Sequence, residues 1–122
     1  MAERSVAAEF VLRCFHARTA THILHLKTRS YAEHKALNDF YDAIVPLTDA
    51  FAEAYQGGYG LISGYKAGFT IPTEAVSLLN TLGEWIDTNR SEIACGDPSL
   101  EALVDDVTAL VDGTLYKLRF LS

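Results

Sequence analysis

Residues 57–72 read GGYGLISGYKAGFTIP, sixteen positions with five glycines, no helical apolar period and a closing proline. On either side the chain reads as long helices, and no segment reads as a strand. The first helix runs from about Glu3 to Lys27 without Gly or Pro. Ser30 opens the second with SYAE, a capping box in which Glu33 can reach back to the cap amide. That helix is expected to end near Gln56, and its apolar period (Leu37, Phe40, Ile44, Leu47, Phe51, Tyr55) passes unbroken through Pro46. Thr73 is the expected cap of the third helix, which fades near Ala94. Asp97 caps the fourth, with Pro98 at its first position and Lys117 and Arg119 near its end, where they complement the helix dipole.

Connections inside helical bundles usually take about 2–8 residues, so this one is unusually long. Extended, it reaches roughly 50 Å, whereas the second helix is about 39 Å long. The segment can therefore run the length of a bundle and set helices two and three parallel. Two short hairpins joined by one long crossover is the ferritin-like four-helix arrangement. The expected fold is this all-α bundle, as a single domain over residues 1–122. A loose insertion between antiparallel neighbours is the competing arrangement. Tyr59, Tyr65 and Phe69 in the crossover are expected to cover the bundle.

Charge and composition narrow the function classes. Hydrophobic residues at 49% and charged residues at 21% suit a folded chain with one core. No apolar run approaches the roughly 20 residues that cross a bilayer. The opening MAERSVAAEF is not expected to act as a signal peptide, and two cysteines outside any C-x-x-C motif fit a reducing, cytoplasmic compartment. Net charge is −6. Residues 1–35 carry six Lys/Arg against three Asp/Glu, and the remainder carries four against thirteen. Without a basic cluster the chain lacks the electrostatic footprint of a nucleic-acid binder. No Ser–His–Asp grouping, phosphate loop or cysteine nucleophile is evident.

Three of the four histidines fall within HILHLKTRSYAEH, residues 22–34. At about 100° per residue, Val6, Phe10, Ala17 and Leu24 form one apolar stripe of helix one, and Leu12, Phe15, Ile23 and Leu26 form another. Glu9, Arg13, His16 and Lys27 make the expected solvent wedge. His22 and His25 lie on the other side between the stripes, with Arg18 one turn before His22. A helix apolar on two flanks has more to bury than one core requires, which points to a subunit interface. On helix two, His34, Asn38, Asp42, Asp49 and Glu53 share an arc with Tyr41, Val45 and Ala52, away from the core stripe. The short turn at Thr28–Arg29 pairs His25 with His34 and His22 with Asn38, close enough to share a ligand. Imidazoles with carboxylates suit iron, manganese or zinc, and oxygen donors favour iron or manganese. His34 and Asp49 are separated by about 22 Å along one helix, so they can meet only across two antiparallel copies of helix two.

Histidines at the end of helix one, a capped His34 and DAFAE at Asp49–Glu53 resemble the miniferritins of the starved-cell DNA-protection class. The resemblance covers about residues 22–56. It implies a ferroxidase centre shared across a dimer interface, with His34 and His25 (or His22) from one chain and Asp49 and Glu53 from the other. HL at His25–Leu26 stands where that class has a histidine–tryptophan pair, whereas His22 aligns without a gap. Asn38 replaces a carboxylate, with Asp42 one turn on as a substitute. No E-x-x-H motif is present, which argues against a di-iron site inside one subunit. SYAEHKALNDFYD and AEAYQGGYG are also similar to a small ferritin-like family encoded by bacteriophages, over most of the chain.

Two readings result. One is a homo-oligomeric, at least dimeric, metal-binding protein that oxidises and sequesters iron. The other is a non-catalytic structural or interaction protein, phage-encoded, in which the metal site is degenerate and Asn38 is the mark of that loss. Asp105, Asp106 and Asp112 of helix four are expected to be solvated charge in both. Both readings also share one expectation: no duplex-DNA binding at physiological salt. A mobility-shift titration at about 150 mM salt should show no retarded band with sub-micromolar protein, and a retarded band would restore a DNA-protection role.

Overall fold

The computed structural model describes residues 2–66 and 73–121, with side chains from Val6 onward. Four helices and, among the described residues, no strands make up the chain: α1 (Ala2–Lys27), α2 (Tyr31–Tyr59), α3 (Ala75–Ile93) and α4 (Pro98–Phe120). Among the described residues, no helix is long and apolar enough to cross a membrane.

Each helix packs on two others. α1 touches α2 and α3, α4 touches α2 and α3, and the α1–α4 and α2–α3 pairs occupy the diagonals. Named contacts give the directions. Lys117, near the end of α4, lies 3.5 Å from Asp39, near the start of α2. At the other extreme the Tyr59 hydroxyl, at the end of α2, donates to Asp97 Oδ2 at 2.9 Å, ahead of α4. α2 and α4 are thus antiparallel. Because short turns also make α1–α2 and α3–α4 antiparallel, α2 and α3 run parallel on a diagonal. The crossover must then span the bundle's length. Phe69 lies outside the described residues. Ile62 is buried and pins the crossover's start, helped by its N–H donating to Gln56 Oε1 at 3.1 Å. Tyr59 and Tyr65 stay substantially exposed, so they do not cover the bundle as expected.

The core forms from the stripes that the periodicity marks. Phe10 of α1 meets Phe51 of α2 edge to face at 4.8 Å, within one buried core that runs along the bundle and includes Leu37, Phe40, Ile44, Leu79, Ile86, Val104, Val107 and Val111. Hydroxyls inside this apolar layer are satisfied locally: Thr21 donates to Ala17 O, Thr48 to Ile44 O and Thr114 to Leu110 O. α2 continues through Pro46, which is exposed. On the outer side of a helix the missing N–H and the freed carbonyl can turn to water.

Two helix ends and one surface residue differ from the sequence expectation. α2 runs three residues past Gln56, because Gly57 and Gly58 remain helical and Gly60, at φ 95°, is the stop. Only a residue without Cβ takes that conformation without strain. α3 is capped by Glu74 rather than Thr73, with no side-chain cap bond, since a glutamate side chain is too long for the tight capping ring. Arg13 is not on an open solvent face: it pairs with Glu9 at 2.8 Å and lies over Trp85 of α3, 4.5 Å from the ring centre. Asp97 caps α4 as expected. Its carboxyl is held below the usual range by the Ser99 hydroxyl first, then by the Tyr59 hydroxyl. Asp105, Asp106 and Asp112 are exposed, and Asp105 forms a two-pronged pair with Arg90 at 2.6 and 2.8 Å.

The two cysteines test this packing. Cys14 is buried between α1 and α2, and burial pushes its thiol up to about 12, whereas Cys95 is exposed in the α3–α4 turn. A thiol-disulfide reagent at pH 8 should titrate one thiol rapidly and the second only in denaturant. Two rapid thiols in the native protein would contradict the α1–α2 packing.

Candidate functional site

The α1–α2 turn is built from Thr28 to Ser30, and its chemistry is local. Ser30 caps α2, its hydroxyl accepting from Glu33 N at 3.2 Å. The second half of the capping box departs from the expected form. The Ser30 amide donates to the Thr28 hydroxyl at 3.2 Å, and that hydroxyl in turn donates to the Glu33 carboxylate. Thr28 therefore relays between two groups that would otherwise meet directly, drawing the end of α1 onto the start of α2.

This hairpin sets His25 and His34 face to face. Their rings stack with centroids 3.6 Å apart and planes 21° from parallel. Each ring also reaches the other residue's backbone: His25 Nδ1 lies 2.8 Å from His34 O, and His34 Nδ1 lies 3.0 Å from His25 O. A carbonyl oxygen can only accept, so both Nδ1 atoms carry hydrogen. In the neutral rings, Nε2 then keeps its lone pair. His25 is 7% exposed and His34 half-buried.

The cluster extends away from the turn. His22 stacks on Tyr41 at 4.1 Å, and Tyr41 also meets His25 edge to face at 5.2 Å. The Tyr41 hydroxyl donates to Asn38 Oδ1 at 2.9 Å, and Asn38 Nδ2 donates to Asp42 Oδ2 at 3.0 Å. Arg18 lies over the Tyr41 ring, 5.8 Å from its centre. His22 therefore faces Tyr41, one turn beyond the expected Asn38, because the tyrosine ring fills the space between the helices there. Tyr41 organises the site although the sequence marked it only as a neighbour on the polar arc. Its signal was its position: an aromatic on the polar arc of α2, two turns beyond His34.

Asp49 and Glu53 lie farther along α2, exposed and without a hydrogen-bonded or ion-paired partner among the described residues. The structure thus brings together His22, His25, His34, Asn38 and Asp42, and leaves Asp49 and Glu53 apart. Among the described residues, no group of three or more His, Cys, Asp or Glu side chains is gathered closely enough to hold a metal ion. The stacked pair has a further restriction. A lone pair lies in its ring plane, and rings stacked with centroids 3.6 Å apart and planes only 21° from parallel direct their lone pairs side by side rather than toward one point within a metal–nitrogen bond of about 2.1 Å. In this arrangement His25 and His34 do not chelate one ion together, contrary to the sharing expected from their pairing.

Beside His22 on α1 lies the second apolar stripe, which the bundle does not bury. Leu26 is 71% exposed, Phe15 is 37% exposed, and Leu12 and Ile23 are half-buried. One flank of the α1–α2 hairpin thus carries an apolar strip, a histidine–tyrosine cluster and two unpaired carboxylates.

A small all-α four-helix bundle with one bundle-length crossover is the class that this architecture defines. Residues 25–118 match a family of unknown function, DUF5856, and the chain belongs to that family. The match takes in the whole stack except His22. The chain is also similar to an uncharacterized 14.6 kDa protein from the mobD–ri intergenic region of Enterobacteria phage T4, with 26% identity over 119 residues. The aligned region covers 96% of this chain and 88% of that protein. Together these matches support a phage-encoded family. No solved structure matches.

The turn gives a direct test. Ser30→Ala removes the cap hydroxyl and should cost about 1 kcal/mol, read as a lower urea midpoint at unchanged slope. An unaltered midpoint would mean that the Thr28–Glu33 relay alone anchors the start of α2.

Proposed function

We propose that this protein is a ferritin-like, metal-binding homo-oligomer whose site is completed by a second copy of the chain. One observation carries the reading: imidazole donors and unpaired carboxylates share one flank of α2 but stand too far apart to meet in one chain. His34 and Asp49 are separated by fifteen residues on an unbroken helix, about 22 Å. Two copies of α2 crossing antiparallel about a two-fold axis superpose the imidazole end of one on the Asp49–Glu53 end of the other, and symmetry creates two equivalent sites. The exposed stripe of α1 beside them supplies apolar area for that contact.

The donor set fits a divalent transition metal. A ligating histidine characteristically donates its other ring N–H to a carbonyl, as His25 and His34 both do. Carboxylate oxygens from Asp49 and Glu53, with Asp42 alongside Asn38, favour iron or manganese over zinc. Iron would be substrate here rather than resident cofactor, with Fe(II) oxidised by supplied dioxygen or peroxide and the hard oxygen donors retaining Fe(III). The similar phage protein supports a role in the host cytoplasm.

A second reading has its own observation. Asn38 presents an amide to Asp42 and Tyr41 where the miniferritin pattern has a carboxylate, and His25 and His34 are engaged with each other. On that reading the flank is a protein-interaction surface without metal.

Complementation separates the two. His34→Ala and Asp49→Ala should each bind no metal as homodimers. A mixed dimer of the two carries one doubly damaged site and one intact site. Random co-refolding of equal amounts makes half the dimers mixed, so metal content should recover to about a quarter of wild type. Mixed dimers seen by mass spectrometry without recovery would rule out the shared site.

A further inference from the structure

We infer that the outward face of α4 docks a second copy of this chain, the two helices lying antiparallel across a two-fold axis. α4 turns Leu100, Val104, Val107, Val111 and Leu118 into the core. Diametrically opposite, at about 100° per residue, Ala102, Asp106, Ala109, Gly113, Tyr116 and Phe120 form one straight stripe, all of it exposed. The far end of the stripe is aromatic. Tyr116 is 56% and Phe120 72% exposed, and their rings lie 5.9 Å apart as a single block. Two large rings held together in water are an apolar surface without a cover. This face is separate from the α1–α2 flank, because α1 and α4 occupy a diagonal of the bundle.

Size and charge together point to the occupant. Both change along the stripe in one order, and an antiparallel copy presents the reverse order. The first half is small and acidic, with Ala102 and Ala109 beside Glu101, Asp105 and Asp106. The end is large and basic, with the aromatic block beside Lys117 and Arg119. In the register that sets Gly113 opposite Ala109, Phe120 falls opposite Ala102 and Tyr116 opposite Asp106. Each aromatic block then lies over the small residues of the other copy. Lys117 comes within reach of the second copy's Asp106, a carboxylate without a hydrogen-bonded or ion-paired partner among the described residues. Gly113 falls near the axis, and a Cβ there would meet no neighbouring group within 4 Å. The chain's own packing does not require a glycine at that position, and a mid-helix glycine weakens the helix. Close approach of a second helix does require one. The two-fold axis repeats each of these contacts.

Charge reversal tests the register as well as the contact. Sedimentation of the full chain, in the presence of a chelator, should show an assembly whose mass falls by half in Phe120→Glu. That halving is expected whether the remaining unit is a monomer or a pair joined through the α1–α2 flank, so it stands apart from the metal-binding reading. Gly113→Gln should lose the same mass with an undiminished melting temperature, because no neighbour in its own chain is displaced. Asp106→Lys and Lys117→Glu should each fail to pair through α4, since like charges then oppose one another twice. In its own chain Lys117→Glu disturbs only an exposed pair with Asp39, which adds little stability. Mixed in equal amounts, the two variants should regain the wild-type mass, because both pairs of the mixed dimer then join opposite charges. A wild type that sediments as a monomer at every concentration would overturn the inference. So would a mass unchanged by Phe120→Glu, or single reversals that fail to associate when mixed.

Discussion

Three residues, Thr28 to Ser30, separate α1 from α2, and much of the molecule depends on that shortness. A turn so brief leaves the two helices no choice but to lie antiparallel and in contact. It also fixes their register, because residues equally distant from the turn come side by side. Phe10 therefore meets Phe51 in the core, and His25 meets His34 at the rim. The Thr28 hydroxyl, placed between the Ser30 amide and the Glu33 carboxylate, keeps the turn from opening. A slip in that register would misalign the reciprocal histidine bonds and the core stripe together.

The second hairpin is joined by the four residues Ala94 to Asp97, a turn nearly as short, so the remaining freedom lay in how the hairpins pack. Tyr59 on Asp97 at one end and Lys117 near Asp39 at the other settle that α2 and α4 are antiparallel. The crossover then has to traverse the bundle, which explains why it is so much longer than an ordinary connection. Both contacts are exposed and add little stability by themselves. Burial of Phe10, Phe40, Phe51 and the valines of α4 provides the driving force, and the polar contacts choose between alternative packings of similar stripes.

The α1–α2 flank differs in kind from the rest of the surface. Over most of the exterior, charges are isolated or paired with near neighbours, such as Arg90 with Asp105. On this flank an apolar strip, an ordered imidazole–tyrosine stack and carboxylates without partners among the described residues occur together. Leu26 lies in water beside the stacked His25 and His34, and a second surface laid on this flank would bury the strip, as the proposed function requires.

The sequence by itself determined the four helices, the cap at Ser30, the passage of α2 through Pro46, the core stripe and the nearness of His25 to His34. All of these follow from periodicity, cap chemistry or turn length, which act over a few residues. It did not determine the stop of α2 at Gly60, because Gly57 and Gly58 are equally capable stops and Gly60 is where φ becomes positive. Nor did it reveal Arg13 against Trp85 or His22 against Tyr41, which depend on how whole helices rotate against one another. Only the tertiary structure decided that the paired histidines stack. Turn length brings two residues together, but it is the carbonyl each ring finds on the opposite helix that orients the planes. That orientation separates two adjacent imidazoles that could grip one ion from two that cannot.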